Sequence, residues 1–476
     1  MELFPAGPTT IIPGLLSASH HKGSVVRLLR IFAITCLLAF PSILFAADDI
    51  PLTGRVTIDD LLDRAVSNKL ISGGVVVIGN HAGILRTIAR GRLNADPAAP
   101  PISAHTIFDI ASLTKVTATT PAVMKLLEQG RISLLDPLSR WFPEFRGSGP
   151  EEITILSLLT HTSGLADFDM GVERTMETAV SKAAAQPHRP GSRFHYADIN
   201  FILLGELVRR VSGMPLDVFC REQLYEPLGL QETMFLPPGL LAGTIAPTSG
   251  PSVGIVQDLN ARRLGGVAGH AGLFSSAEDL GRYARLVLGG GDLNGKRILS
   301  ERIISQMTAP YFCSSGSVVR GLGWDRKSPF SAPKGIFFSD SSFGHTGYSG
   351  SSIWIDPERD LFVILLTIRT NYRDTGMFSQ LRSDVSTIGV ADFSRTGDKP
   401  GILLAAATAR DFAAPAKKLP KFTFVASLDG KPAVQASLKK QFRKHPRRQI
   451  GRSVRMVAKA GDTGRRIGKR AVRAGA

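Results

Sequence analysis

Leu61, Leu62 and Ala65 recur at helical spacing within 59–68, so the first regular element expected is a helix. The pattern then becomes an unbroken apolar run, Gly74-Val75-Val76-Val77-Ile78. It is followed by Asn80-His81-Ala82-Gly83 and a second run from Ile84 to Ala89, which together read as a β-hairpin. An apolar stretch ending at Ala111 leads into a helical segment from Ser112 to Gln129, closed by Gly130 and kinked at Pro121. Thr154 to Leu159 and Asn200 to Ser212 are further helices, the second closed by Gly213. A glycine-rich loop, 265–274, precedes a helix that starts at Ser276-Ala277-Glu278-Asp279 and runs to Leu288. Gly335 to Ser342, Ser351 to Asp356 and Leu361 to Thr367 read as strands, with a turn at 357–360. Strands at both ends and helices between them predict an α+β fold: one sheet closed by distant parts of the chain, and a helical part over about 115–260.

Charge changes the picture only at the two ends. Arg27 and Arg30 precede an apolar run, Ile31 to Ala46, which Pro41 interrupts and the acidic pair Asp48-Asp49 follows. A basic start, a short apolar centre and small residues at the junction describe a secretory signal, so residues 1–47 are expected to be leader and signal peptide. The expected destination is the periplasm or cell envelope, with membrane anchoring if the segment stays uncleaved. Of the net charge of +17, residues 396–476 carry +16 (20 Lys/Arg against four Asp), which leaves +1 for the rest. Basicity therefore says nothing about the partner of the body, residues 50–395, and no nucleic-acid partner is expected. The basic tail reads as a disordered extension or an out-of-frame end. Its functional alternative is adhesion to an anionic envelope surface. Cys36 falls in the signal, leaving Cys220 and Cys313 as two buried thiols or as a pair. The sequence has neither Cys-x-x-Cys nor His-Glu-x-x-His, and no metal or cofactor is expected.

Candidate chemistry starts at Ser112-Leu113-Thr114-Lys115. A serine near a helix N-terminus meets unpaired N–H groups, and a lysine three residues on shares its face. A lysine amine that is desolvated or crowded by other cations loses its proton and activates a neighbouring hydroxyl. The spacing alone is permissive, since Ser19/Lys22, Ser331/Lys334 and Ser437/Lys440 share it. Two further islands single out the first: Tyr196-Ala197-Asp198, just ahead of the Asn200 helix, and His345-Thr346-Gly347, ahead of the last strands.

In order and spacing these islands resemble the serine β-lactamase and penicillin-binding superfamily, particularly its class C β-lactamase-like branch with Ser-x-x-Lys, Tyr-x-Asn and Lys/His-Thr-Gly motifs. The segments 158–165 and 226–230 resemble that branch too, and 260–274 resembles its D-alanyl-D-alanine carboxypeptidase-like bacterial subgroup, so the likeness covers roughly 55 to 390. It implies a mainly antiparallel sheet flanked by helices plus a helical domain. It also implies an exported serine hydrolase acting through an acyl-Ser112 intermediate on D-alanyl peptides of peptidoglycan or on small esters. A non-hydrolytic penicillin- or muropeptide-binding sensor is the rival.

Carried onto this chain, the resemblance makes Ser112 the nucleophile, Lys115 its activating partner and Tyr196 the base, whose phenol pKa must fall under the charge of Lys115. Backbone N–H groups of Ser112 and Tyr348 would form an oxyanion hole, the loss of either donor costing roughly 3–4 kcal/mol of barrier stabilisation. His345, Thr346, Gly347 and Asp198 would border the substrate. Two departures stand out. Asp198 replaces an amide, and His345 replaces a permanent cation with a group that titrates near neutrality and would make activity pH-dependent. His161, His270 and Asp109 are read as structural hydrogen-bonding groups. If the leader is a signal, N-terminal sequencing of the mature protein finds Asp48 or a close neighbour first; a full-length cytosolic chain would overturn export.

Overall fold

The computed structural model of the protein describes residues 56–393, apart from 147–151, 169, 171–174, 188, 192, 242, 249–252 and 314–315. The leader and signal segment and the basic tail lie outside the described residues. Among those described, the strands are β1 (Ile71–Gly79), β2 (Ile84–Gly91), β3 (Phe108–Asp109), β4 (Met234–Phe235), β5 (Leu273–Ser275), β6 (Asp292–Leu293), β7 (Lys296–Arg297), β8 (Tyr311–Cys313), β9 (Val318–Arg320), β10 (Asp325–Lys327), β11 (Phe343–Thr346), β12 (Ser352–Asp356) and β13 (Leu361–Arg369). The principal helices are α1 (Ile58–Ser67), α2 (Thr120–Glu128), α3 (Ile155–Leu159), α4 (Ile199–Ser212), α5 (Ala277–Leu288) and α6 (Thr375–Phe393).

Eight strands form one antiparallel sheet in the order β2-β1-β13-β12-β11-β10-β9-β8, and β3-β5-β4 form a small second one. The ends of the body meet in its middle, where β1 pairs with β13 from Ile71 opposite Arg369 to Gly79 opposite Phe362. The continuous apolar runs of β1 and β13 follow from burial on both faces. Val76, Ile78, Val363 and Leu365 face a core shared with α1 and α6, while Val75, Val77, Ile364 and Leu366 face the larger core of the helical part. Local signals place the helix ends. Thr57, Thr154 and Ser276 accept the expected N-cap hydrogen bonds, and Gly213 closes α4 with φ +81°. Among the described residues no helix is long and apolar enough to cross a membrane. Cys220 and Cys313 are free and buried.

The structure corrects two expected elements. Residues 335–342 are not a strand; the strand starts at Phe343. Ser339 donates from its N–H (2.7 Å) and its hydroxyl (2.6 Å) to Asp356, and the Ser342 hydroxyl donates back to the Ser339 carbonyl (2.6 Å). Short polar side chains thus take the place of a ladder. The segment 112–129 is not one regular helix either. A 3-10 turn at Ala111–Leu113 gives way to a π-turn at Lys115–Thr119 and only then to α2. Pro121 lacks an N–H, so this stretch is one helical donor short. Buried phenols replace it: Tyr283 donates to Val116 at 2.6 Å and Tyr225 to Thr117 at 3.3 Å. Tyr283→Phe leaves the Val116 carbonyl buried and unpaired, and should lower unfolding free energy by about 1–3 kcal/mol in denaturant titration; an unchanged midpoint would refute this account of the turn.

Candidate active site

The serine sits where a strand is forced to turn sharply. Ala111, directly before it, has φ +48°, a region that costs a non-glycine residue roughly 1–2 kcal/mol. The carboxylate of Asp109 holds that conformation, accepting from Ala111 N–H at 2.8 Å and from Gln257 N–H at 2.6 Å. Burial pushes the Asp109 carboxyl up to about 6, against those two bonds. Asp109 is therefore a structural carboxylate, as read from the sequence. Ser112 follows in the 3-10 turn, whose Leu113 N–H bonds to the Ile110 carbonyl at 3.1 Å, and its side chain reaches a cleft.

Lys115 is fully buried and has three oxygen neighbours, two as hydrogen-bond acceptors and Asp198 as its ion-pair partner. They are Ser112 Oγ at 3.0 Å, the His270 carbonyl at 2.9 Å and Asp198 Oδ1 at 2.7 Å. The Tyr196 hydroxyl also donates to Ser112 Oγ, at 3.2 Å. The expected charge states do not hold in this arrangement. Burial disfavours the Lys115 ammonium, but the adjacent Asp198 carboxylate and the Tyr196 phenol outweigh it and keep its pKa above the ordinary value. Burial likewise raises the Tyr196 phenol, and the opposing pull of Lys115 does not cancel it. Asp198, despite burial, is held below the usual carboxylate range by Lys115. The resting site thus contains an ammonium, a phenol and a carboxylate.

The opposite wall is the end of β11. His345 Nδ1 bonds to the Thr346 carbonyl at 2.8 Å. Burial, aided by Arg320 and Lys115, pulls its imidazole down to about 3, so it is neutral at physiological pH rather than titrating there. Gly347 packs so closely on the serine turn that a Cβ would lie 2.5 Å from the Ile110 carbonyl. Ser349 and Ser351 hydroxyls donate to the carbonyls of Asp109 (2.6 Å) and Ile110 (2.9 Å). Arg382, from α6, donates to the carbonyls of Gly347 and Ser351. Because a trans peptide points N–H and C=O in opposite directions, this turns the Tyr348 N–H away from Arg382. Tyr348 itself is exposed.

Two cavities meet at Ser112. One, of about 670 Å³, is lined among others by Tyr196, Asp198, Asp258, Arg263 and Tyr348; the other, of about 250 Å³, by Arg320, Phe330, His345 and Thr346. Behind Asp198, His270 Nε2 lies 2.8 Å from Asp258 Oδ1. Asp198, Asp258 and His270 bring ligand atoms within 4.8 Å of one another, the spacing a cation would need. The Lys115 ammonium already takes the Asp198 oxygen, however, and Asp258 and His270 engage each other. The donor set does not fit a metal, and no step is routed through one. His161 is structural, its Nδ1 lying 3.3 Å from both Ala197 N and Asn200 Nδ2 while its ring stacks on Tyr196 at 4.4 Å.

An antiparallel sheet backed by helices, with a serine, lysine and tyrosine converging beside the end of its strand β11, defines the serine β-lactamase and penicillin-binding class. The sequence model of the Beta-lactamase family matches residues 58–378, and the chain belongs to that family. A Salmonella agona (strain SL483) protein that bears the provisional name D-alanyl-D-alanine carboxypeptidase is 29% identical over 303 residues, 55% of this chain and 69% of that protein. Among solved structures, EstCE1, a hydrolase with promiscuous acyltransferase activity, superposes with TM-score 0.58 at 23% identity over 69% of this chain and 97% of its own. A penicillin-binding protein homologue from Caulobacter crescentus does so with TM-score 0.58 at 20% identity over 69% and 95%. Family membership supports hydrolase activity of the β-lactamase/DD-peptidase type.

Sequence reasoning missed Arg382, the Asp258–His270 pair and the strained Ala111, none of which has a local motif. Arg382→Met removes one of two donors from each of the Gly347 and Ser351 carbonyls, which keep the N–H groups of Gly350 (3.1 Å) and Gly347 (2.8 Å). Loss of the two bonds should cost about 1–3 kcal/mol in thermal unfolding and slow acylation of Ser112, with Arg382→Lys intermediate; a variant as stable and as fast as wild type would show that this arm is dispensable.

Proposed function

We propose that the protein is an exported serine hydrolase that forms an acyl-enzyme at Ser112 on D-alanyl peptides of peptidoglycan and releases the acyl group to water. One observation carries this reading: a serine oxygen held by Lys115 Nζ at 3.0 Å and Tyr196 Oη at 3.2 Å in the wall of an open cleft. Ser112 Oγ attacks the carbonyl carbon, the carbonyl oxygen takes the negative charge, and the N–H groups of Ser112 and Tyr348 stabilise it. The leaving amine or alcohol departs with a proton, and water then cleaves the ester to Ser112. The cleft, at about 670 Å³, is large enough for a short peptide, and Arg263 on its wall suits a terminal carboxylate. The N-terminal signal pattern supports export.

Small esters are a second reading, favoured by the neutral His345. Where a lysine would attract an anionic end, position 345 carries no charge, and an ester needs none there. The deciding experiment is fluorescent penicillin labelling with peptide mass spectrometry, alongside turnover of a D-alanyl-D-alanine peptide and a nitrophenyl ester. Label on Ser112 that disappears in Ser112→Ala, with turnover reduced at least 1,000-fold, is expected. No label and no turnover by folded wild-type protein would overturn the hydrolase reading. Stable label without turnover of any substrate would favour a non-hydrolytic sensor.

A further inference from the structure

Ser112 Oγ accepts hydrogen bonds from two donors, and neither can receive its proton without giving up one of its own. Tyr196 points its hydroxyl hydrogen at Oγ, and Lys115 points an ammonium hydrogen at it. The carboxylate of Asp198, 2.7 Å from Lys115 Nζ, is the base in contact with this cluster. Its side chain does not cap a helix. Asp198 is the N-cap residue of α4, yet its side chain caps nothing, and the Ile199 N–H bonds instead to Asp167 at 3.0 Å. A second carboxylate does the local work of the N-terminus and leaves Asp198 turned to the lysine.

We propose that Asp198 is the terminal proton acceptor of the acylation step, with Lys115 as the relay between it and Ser112. This rests on the acyl-Ser112 reading above. As Ser112 Oγ bonds to the substrate carbonyl carbon, its proton passes to Lys115 Nζ while an Nζ proton passes to Asp198 Oδ1. The products are a tetrahedral oxyanion, a still-cationic Lys115 and a neutral Asp198 acid. Collapse reverses the relay: Lys115 gives a proton to the leaving nitrogen or oxygen, Asp198 returns one to Lys115, and the ion pair is restored beside the acyl-enzyme. Attack by water repeats the cycle.

The groups facing Asp198 agree with this assignment. Lys115 approaches from the π-turn and Tyr196 from its own segment. His270, Asp258 and Arg263 line the other side, and Asp167 lies across the helix end. Lys115 is fully buried, whereas Asp198 keeps 30% of its side chain exposed toward the cleft. A substrate that fills the cleft removes water from the one solvated member of the pair. Desolvation penalises the charge-separated form and draws the proton from lysine to aspartate when substrate is bound.

The test is the pH dependence of kcat/KM for Asp198→Asn, an isostere that keeps an oxygen for Lys115 but cannot take its proton. In wild type the rate depends on ionised Asp198, so it should hold down to acid pH and fall only as pH drops below the usual carboxylate range. In Asp198→Asn the remaining base is the Lys115 amine, so the acid limb should move up by at least two pH units. The rate at pH 6 should fall at least 100-fold and recover toward pH 10. A profile superimposable on wild type, or one uniformly lowered with the same shape, overturns the proposal. Inactivity at every pH in a variant that melts like wild type overturns it too. Asp198→Ser is run in parallel in case the amide variant does not fold. Wild-type protein that acylates at Ser112 while the variant keeps its profile sinks the proton route alone; wild-type protein that neither labels nor turns over sinks the hydrolase reading itself.

Discussion

A charged amine with no solvent around it constrains the rest of this structure. Lys115 is buried completely, and an unpaired ammonium there would cost several kcal/mol. Its three oxygen partners come from three segments: its own turn, the head of α4 through the Asp198 ion pair, and the glycine-rich loop through the His270 carbonyl. The glycines of that loop make the contact feasible. A Cβ on Gly269 would lie 2.0 Å from the Phe201 carbonyl, so the loop can lie against α4 only without a side chain there. The lysine thereby organises the helical part of the molecule around the serine and fixes the charge of the site.

The β-sheet side meets it by another route. There the serine turn and the end of β11 are joined through backbone carbonyls, with Ser349, Ser351 and Arg382 each donating to one or more of them. Strain at Ala111 persists because Asp109 and these clasps over-determine the turn. Two sets of polar contacts built by different physics, one by charge pairing and one by backbone hydrogen bonds, meet at the few atoms around Ser112 Oγ. A small shift of either set would open the geometry, which explains why so much buried polar structure lies behind one hydroxyl.

What was legible in the sequence follows from range. Helix caps, the β1–β2 hairpin and the apolar runs of β12 and β13 depend on neighbours in the chain, and these could be read directly. The grouping of Ser112, Lys115, Tyr196 and His345 was legible through motif order. Contacts without a local signature were not: the His270 carbonyl is 155 residues from Lys115, and Arg382 is 35 from Gly347. The strand placed at 335–342 failed because Ser339 bonds to the Asp356 side chain and Ser342 to the Ser339 carbonyl in place of a backbone ladder. The charge states failed for a sharper reason. Lysine beside tyrosine suggests a lowered phenol pKa, but burial, with the Asp198 carboxylate adding to it, outweighs that pull, and burial is a tertiary fact.

The two departures from the family pattern act together. A neutral His345 in place of a lysine removes one positive charge from the β11 wall, and Asp198 in place of an amide adds one negative charge on the helical wall. Relative to the pattern, the site is two units more negative. Arg320, near the serine, does not offset this, because Asp325 pairs with it at 3.0 Å. Holding Lys115 as an ammonium neutralises Asp198 in turn. The site therefore obtains its nucleophile from an internally balanced ion pair rather than from a lysine discharged by neighbouring cations. An arrangement of that kind tolerates the loss of the β11 cation, since no second positive charge is needed to strip the proton from Lys115. The substitution at 345 and the one at 198 are then one electrostatic solution rather than two independent losses.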